Sequence, residues 1–222
     1  DDLYSQINYQ DQPVRVSPLR YANLIKWFTN QKEGIPAYIR IDMATQNTEL
    51  VKLEQGMKYT TSDHLNRNIY RHLRFRYPTY IFNELSFEID DAGTPYWICP
   101  VKKYNVGLFG GATVGRVVLC NAITGEMEDY AIEDAPQWID RAYSADLLVE
   151  LYDYYGSLKH GYFNSVLGQK DSLETTNGYN YLALDDDVWV YTGVTSVSGD
   201  QSNVGFVLMN QRTMETKFYK GE

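Results

Sequence analysis

The sequence has little of what marks a metal-binding, redox or membrane-spanning chain. Its 222 residues include only two cysteines, Cys99 and Cys120, with no C-x-x-C pair and no Cys/His cluster that would support a zinc site. Both cysteines lie in strand-like stretches. Two buried free thiols are the favoured state, since a free cysteine packs as a small apolar residue, and a disulfide stays the alternative. No run of 18 apolar residues is present, so no membrane-spanning helix is predicted.

Catalytic motifs are missing as well. The sequence contains no H-E-x-x-H pair and no G-x-S-x-G turn. His64, His72 and His160 are therefore interpreted as surface or structural residues. The glycine-rich loop 107–111 leads into a predicted strand and is not followed by Gly-Lys-Ser or Gly-Lys-Thr, which argues against a phosphate-binding loop. We predict that the chain is not an enzyme and has no catalytic, cofactor-binding or metal-binding residues.

The acidic residues cluster in predicted turns rather than across a cleft. Glu88, Asp90 and Asp91 form one group, and residues 185–187 form another. A glycoside hydrolase needs two opposed carboxyl groups, whereas adjacent acids in a hairpin turn point to solvent, so the turn interpretation is favoured. Two alternatives stay open. One is a hydrolase with paired acids, and the other is a weak Ca²⁺ site at residues 185–187 with Asp200 as a further ligand.

Charge narrows the range of partners. The net charge of −9 disfavours nucleic acid, whose phosphates would be repelled, and disfavours a basic membrane-surface domain. One basic cluster stands out, formed by Arg71, His72, Arg74 and Arg76 near the end of a predicted helix. It either offsets the negative end of the helix dipole or contacts an anion or an acidic partner.

Three predicted helices alternate with predicted hairpins. The helices begin at Ser17, Ser62 and Ser144, each a hydroxyl N-cap ahead of apolar residues at helical spacing. The predicted hairpins cover 38–53, 85–101, 116–132, 179–191 and 204–219.

One hairpin turn recurs three times. Residues 41–45, 120–124 and 209–213 align without gaps, and each has Asp or Asn followed by Thr three positions later. The acid or amide is expected to accept a hydrogen bond from the backbone two or three residues on. The stretches 84–132 and 179–220 also match over four strands, with Trp97 and Trp189 in equivalent places.

The predicted fold is therefore α+β. Each unit would consist of one helix packed on a four-stranded antiparallel sheet. The predicted domains are a partial N-terminal unit of helix plus hairpin over 1–61, a first full unit over 62–143 and a second full unit over 144–222.

The segment Val117 to Tyr130 resembles the PepSY-type, peptidase-propeptide-like module of bacterial envelope proteins. The residues that carry the likeness are Asn121, Thr124, Gly125, Glu126 and Tyr130. The third copy departs from the pattern because Met214 replaces the glycine, and the copy at 38–53 lacks both the glycine and the tyrosine. The chain as a whole is also similar to the outer part of large membrane-anchored proteins of Gram-positive bacteria.

The resemblance implies a cystatin-like fold and a non-enzymatic module outside the cytoplasm. It would be tethered to the membrane through a segment outside these residues, as expected of a fragment that starts at Asp1 without a methionine. The implied partners are proteins or peptides of the cell envelope, or a peptidase whose activity is modulated, and a peptide could add to an exposed sheet edge. The alternative is a carbohydrate or cell-wall binding domain with a line of solvent-facing rings, which would fail if Trp97, Trp189 and most of the tyrosines lay in the core.

Overall fold

The computed structural model describes residues 4–20, 32–104, 112–157, 173–197 and 203–221. The chain divides into two compact units, Asp1–Ala142 and Tyr143–Glu222. Antiparallel β-structure dominates the described residues, at 52% strand against 14% helix. The prediction of an α+β, PepSY-like or cystatin-like fold built from tandem helix-plus-sheet units is therefore wrong. Neither helix in the described ranges is long and apolar enough to cross a membrane.

The first unit contains two four-stranded sheets, and each sheet is an up-and-down meander. The strands of the first sheet are β1 (Ser5–Tyr9), β2 (Gln12–Pro18), β3 (Ile35–Asp42) and β4 (Thr48–Met57). The strands of the second sheet are β5 (Ser86–Ile89), β6 (Pro95–Tyr104), β7 (Ala112–Asn121) and β8 (Met127–Ala131). Along the chain, the two sheets are connected by a segment that contains a 3₁₀ turn, Leu65–Arg67, and the helix α1 (Ile69–Arg76). A second 3₁₀ turn, Ile132–Asp134, follows β8.

One hydrophobic core joins the two sheets of this unit. It contains Val16 and Met57 from the first sheet, Trp97 and Cys120 from the second, and two residues of α1. The helix is only eight residues long, which makes it about 12 Å, too short to cover a four-stranded sheet. The apolar face that the sequence assigned to a helix is therefore covered largely by another sheet.

In the part that the structure describes, the second unit contains one sheet and one helix. Its helix is α2 (Ala145–Ser157), and its strands are β9 (Leu173–Thr175), β10 (Asn180–Leu184), β11 (Asp187–Ser196), β12 (Asn203–Asn210) and β13 (Thr216–Lys220). The strands β10 to β13 form a meander in chain order, and β9 pairs with β11. Leu148 and Leu151 of α2 lie beside Met209 of β12, so α2 covers the sheet face that carries Met209.

The three predicted helix starts have different outcomes. Ser17 lies in β2 rather than at a helix N-terminus, and the body of that predicted helix lies outside the described residues. The second helix begins later than predicted, because Asn68 rather than Ser62 caps α1. The third is confirmed, since Ser144 Oγ accepts a hydrogen bond from Leu147 N at 3.2 Å.

The three recurring turns have the same geometry, which confirms the predicted hydrogen bonds. The side-chain Oδ1 of Asp42, Asn121 and Asn210 accepts from the backbone N–H groups two and three residues later, at 2.8–3.1 Å. The residue that directly follows the threonine of each turn is left-handed, with φ of 60° at Gln46, 77° at Gly125 and 65° at Met214. The three turns therefore share one backbone conformation, and only the second has the glycine that suits it.

Replacing Gln46 by glycine should raise the free energy of unfolding of the first unit by about 0.5–1 kcal/mol. A left-handed conformation costs a non-glycine residue roughly 1–2 kcal/mol, and the greater entropy of glycine in the unfolded chain offsets part of this gain. The Gln46 side chain is exposed, and among the described residues it bonds only to Met43 O, at 2.9 Å. Urea unfolding measures the shift, with Gln46→Ala as the control that keeps the strain. A gain of the same size in the control would rule out backbone strain as the cause.

Candidate functional site

The cysteines and histidines do not form a site in the described ranges. Cys99 and Cys120 are free and buried, as favoured from the sequence, and burial raises the pKa of the Cys120 thiol to about 12. Thiols in this state are poor nucleophiles. His72 Nε2 lies 2.8 Å from Gly125 O, and its ring packs on Tyr59 at 4.5 Å. His64 is exposed beside the 3₁₀ turn, and His160 lies outside the described residues.

The Glu88 carboxyl group accepts hydrogen bonds from two backbone N–H groups. Its Oε1 accepts from Arg141 N at 2.9 Å and its Oε2 from Asp140 N at 3.0 Å. Burial raises the pKa of Glu88 to about 7, and the N–H of Asp140 and the charge of Arg141 act in the opposite direction. Asp90 accepts instead from the N–H groups of its own turn, and Asp91 is exposed in that turn. The opposed pair that a hydrolase would need is not formed by these acids.

Of the suggested Ca²⁺ ligands, Asp187 binds other side chains. Asp187 accepts two hydrogen bonds from the Arg212 guanidinium, at 2.7 and 2.8 Å, and one from Asn210 Nδ2 at 2.8 Å. Asp185 and Asp186 form the β10–β11 turn with left-handed φ, and Asp200 lies outside the described residues. Within the ranges that the structure describes, no group of three His, Cys, Asp or Glu residues could hold a metal ion.

The two tryptophans named as sugar-stacking candidates are buried. Trp97 lies in the core of the first unit, where its Nε1 donates to Tyr59 O at 2.8 Å. Trp189 is 2% exposed, and the Lys217 ammonium lies 4.7 Å from its ring centroid. Neither indole face is therefore free to stack on a ligand.

A band of aromatic rings is exposed on the outer face of the β10–β13 sheet. The register places Phe206 opposite Tyr219, and Tyr191 lies two residues before Gly193, the β11 partner of Phe206, so the three side chains share one face. Phe206 and Tyr219 stack at 5.0 Å between centroids and 14° between planes. Tyr191 is 38% exposed, Phe206 45% and Tyr219 43%. The sequence pattern missed this band because exposure of a strand face depends on which face the helix covers.

The strand β13 is the edge of this sheet next to the band. It pairs with β12 on one side, and no described strand pairs with its other side. Asn210 N bonds to Glu215 O, and Gly221 N to Val204 O, both at 2.8 Å. Along an antiparallel strand, the backbone N–H and C=O groups of successive residues point alternately to the two sides. Those of residues 217 and 219 therefore also point to β12, whereas those of Thr216, Phe218 and Lys220 point outward. All three residues are exposed.

Comparison with known proteins adds no relative. No family model matches the chain, no curated protein sequence matches it, and no solved structure matches it. The PepSY resemblance therefore rests on the residues of the second turn and its flanking strands alone.

Proposed function

We propose that this chain is a non-catalytic interaction module that binds an extended peptide along the free edge of β13. The observation that carries the proposal is the row of outward backbone groups at Thr216, Phe218 and Lys220, all exposed. An unpaired edge is a ready template for another strand, and peptide recognition by strand addition uses such edges.

The side chains around the edge suit a peptide with alternating apolar residues. Tyr219 projects on the outer face of the sheet and Phe218 on the face that α2 covers, because neighbouring residues of a strand point to opposite faces. Phe218 is 42% exposed. An added strand would place successive side chains against the Phe218 and Tyr219 rings in turn, while its backbone pairs with the outward groups of β13.

Carbohydrate binding is the weaker alternative. Phe206 and Tyr219 stack on each other, so each ring covers one face of its neighbour. One face of each ring is left for a sugar. With Trp97 and Trp189 buried, the extended platform that sugar stacking favours is not formed by the described rings. The location outside the cytoplasm, the membrane tether and an effect on a peptidase stay predictions from the PepSY resemblance, and strand addition does not depend on them.

Replacing Phe218 by proline should abolish peptide binding and leave the second unit folded. Proline removes an outward N–H, which an edge strand tolerates because that group bonds to none of the described strands. Linear peptides selected from a phage-displayed library on the wild-type chain serve as the probe, and fluorescence anisotropy gives their Kd. In amide hydrogen exchange, the bound peptide should protect Thr216, Phe218 and Lys220.

The matched control is Phe218→Ala, which removes the ring and keeps the N–H. We expect it to weaken binding several-fold, whereas Phe218→Pro should eliminate it. Equal binding by the proline variant and the wild type would overturn strand addition. Protection of the amides of Tyr191 and Phe206 alone would also overturn strand addition, and would favour binding on the outer face of the β10–β13 sheet.

A further inference from the structure

The first unit contains a cleft that the proposed function does not use. It lies between α1 and the segment that follows it, and its volume is about 450 Å³. The helix supplies Tyr70, Arg71 and Arg74 to one side, and residues 80–83 form the other. Leu73 and Leu85, both buried, form an apolar floor.

Both walls of the cleft are held in place. On one side, Leu73 and the preceding Ile69 anchor α1 in the hydrophobic core. On the other side, Ile81 O accepts from Lys102 N at 2.7 Å and Asn83 N donates to Pro100 O at 2.8 Å. A cleft whose walls are already ordered loses little conformational entropy when a ligand enters it.

The rim combines exposed apolar groups with positive charge. Tyr70 and Ile81 are both more than half exposed. Across the described part of the chain, the guanidinium groups of Arg71 and Arg74 have no hydrogen-bond or ion-pair partner. Glu84 is an exposed acid beside this region but does not line the cleft. Two unpaired cations at an apolar cleft are notable in a chain whose net charge is −9.

We propose that this cleft binds an acidic peptide segment that carries one apolar or aromatic anchor residue. The anchor side chain would enter between α1 and residues 80–83 and cover Leu73 and Leu85. Carboxylates on either side of the anchor would pair with Arg71 and Arg74, since guanidinium groups bind carboxylates in bidentate geometry. In binding interfaces, the residues that contribute most to affinity are buried near the centre, and charged residues lie at the rim.

The test uses a fluorescein-labelled peptide with one phenylalanine flanked by glutamates, added to the full chain at low salt. We expect saturable binding that the double variant Arg71→Glu/Arg74→Glu weakens at least tenfold and that added NaCl also weakens. Replacing the phenylalanine of the peptide by glycine should weaken binding by a similar factor, because the cleft floor then stays empty.

The matched control is Arg76→Glu on the same helix. The Arg76 guanidinium lies 5.1 Å from the Tyr77 ring centroid and does not line the cleft, so this variant should bind within twofold of the wild type. Equal weakening by Arg76→Glu would overturn the site, as would equal affinity for the glycine-substituted peptide. Phe218→Pro should leave this binding unchanged, which separates failure of the cleft from failure of the β13 edge.

Discussion

Replacing Gly125 by alanine should lower the free energy of unfolding of the first unit by about 3 kcal/mol. A Cβ atom at this position would lie 2.4 Å from two atoms of the Tyr59 ring, and the backbone is left-handed at φ +77°. The conformation alone costs alanine about 1 kcal/mol, and forcing extra volume into a packed contact adds roughly 1–3 kcal/mol.

Tyr59 is held by contacts of both its ring and its backbone. Its ring packs on His72 at 4.5 Å, its N–H donates to Ala122 O at 3.0 Å, and its carbonyl accepts from Trp97 Nε1 at 2.8 Å. These contacts tie the second recurring turn to the segment after β4 and to the core. Gly125 is therefore required for packing as well as for its φ angle.

Gly93→Ala is the matched control in the same unit. Its φ is +82°, but the nearest atoms to an added Cβ are two tyrosine hydroxyls at 3.4 and 3.7 Å. It should lose only the backbone cost of about 1 kcal/mol, measured by urea unfolding. In a Tyr59→Ala background, Gly125→Ala should also cost only about 1 kcal/mol, since the clashing ring is gone. Equal losses for both glycine variants would contradict the steric argument.

The sequence predicts turns better than it predicts layers. The side chains of Asp42, Asn121 and Asn210 bond to atoms two and three residues away, so a local pattern is enough to place them. The meanders β5–β8 and β10–β13 followed from the same local signals. What covers each sheet depends on residues distant in the chain, and this is where the α+β prediction went wrong.

The first two strands of the first meander, β1 and β2, were missed for a local reason, whereas its β3–β4 hairpin was predicted. Its β1–β2 turn is Gln10-Asp11, two non-glycine residues with φ of 50° and 61°, so the usual Asn-Gly or Asp-Gly signal is missing. Pro13 and Pro18 lie at the start and end of β2, and proline within a run argues against a paired strand. The alternation of Val14 and Val16, both buried, was the available signal.

The candidate site was still less accessible from sequence. The edge β13 was predicted as a strand, but nothing in its five residues shows that its outer side is unpaired. The basic cluster at residues 71–76 was recognised, and the structure separates Arg71 and Arg74, which line a cleft, from Arg76, which does not. That separation needs the position of residues 80–83, which is set by pairing with β6.

The stability of the first unit should fall as the pH rises from about 4.5 to about 7, because of Glu88. Burial raises the pKa of this carboxyl group from 4.5 to about 7, so between these values the folded state holds a proton that the unfolded state has released. The free energy of unfolding then decreases with rising pH. A difference of this size in pKa corresponds to about 3 kcal/mol over the whole window, at 1.36 kcal/mol per unit.

Glu88→Gln should remove this contribution to the pH dependence. Glutamine keeps one acceptor for the N–H groups of Asp140 and Arg141 but cannot ionise, so the curve of unfolding free energy against pH should be flatter by about 3 kcal/mol between pH 4.5 and pH 7.5. Urea unfolding at a series of pH values measures it. Ile89→Val, in the same strand and also buried, is the control: it should lower stability by about 1 kcal/mol at every pH. If Glu88→Gln keeps the full wild-type slope, the buried carboxyl group is not its source, and Glu88 must be ionised in the folded state throughout this range.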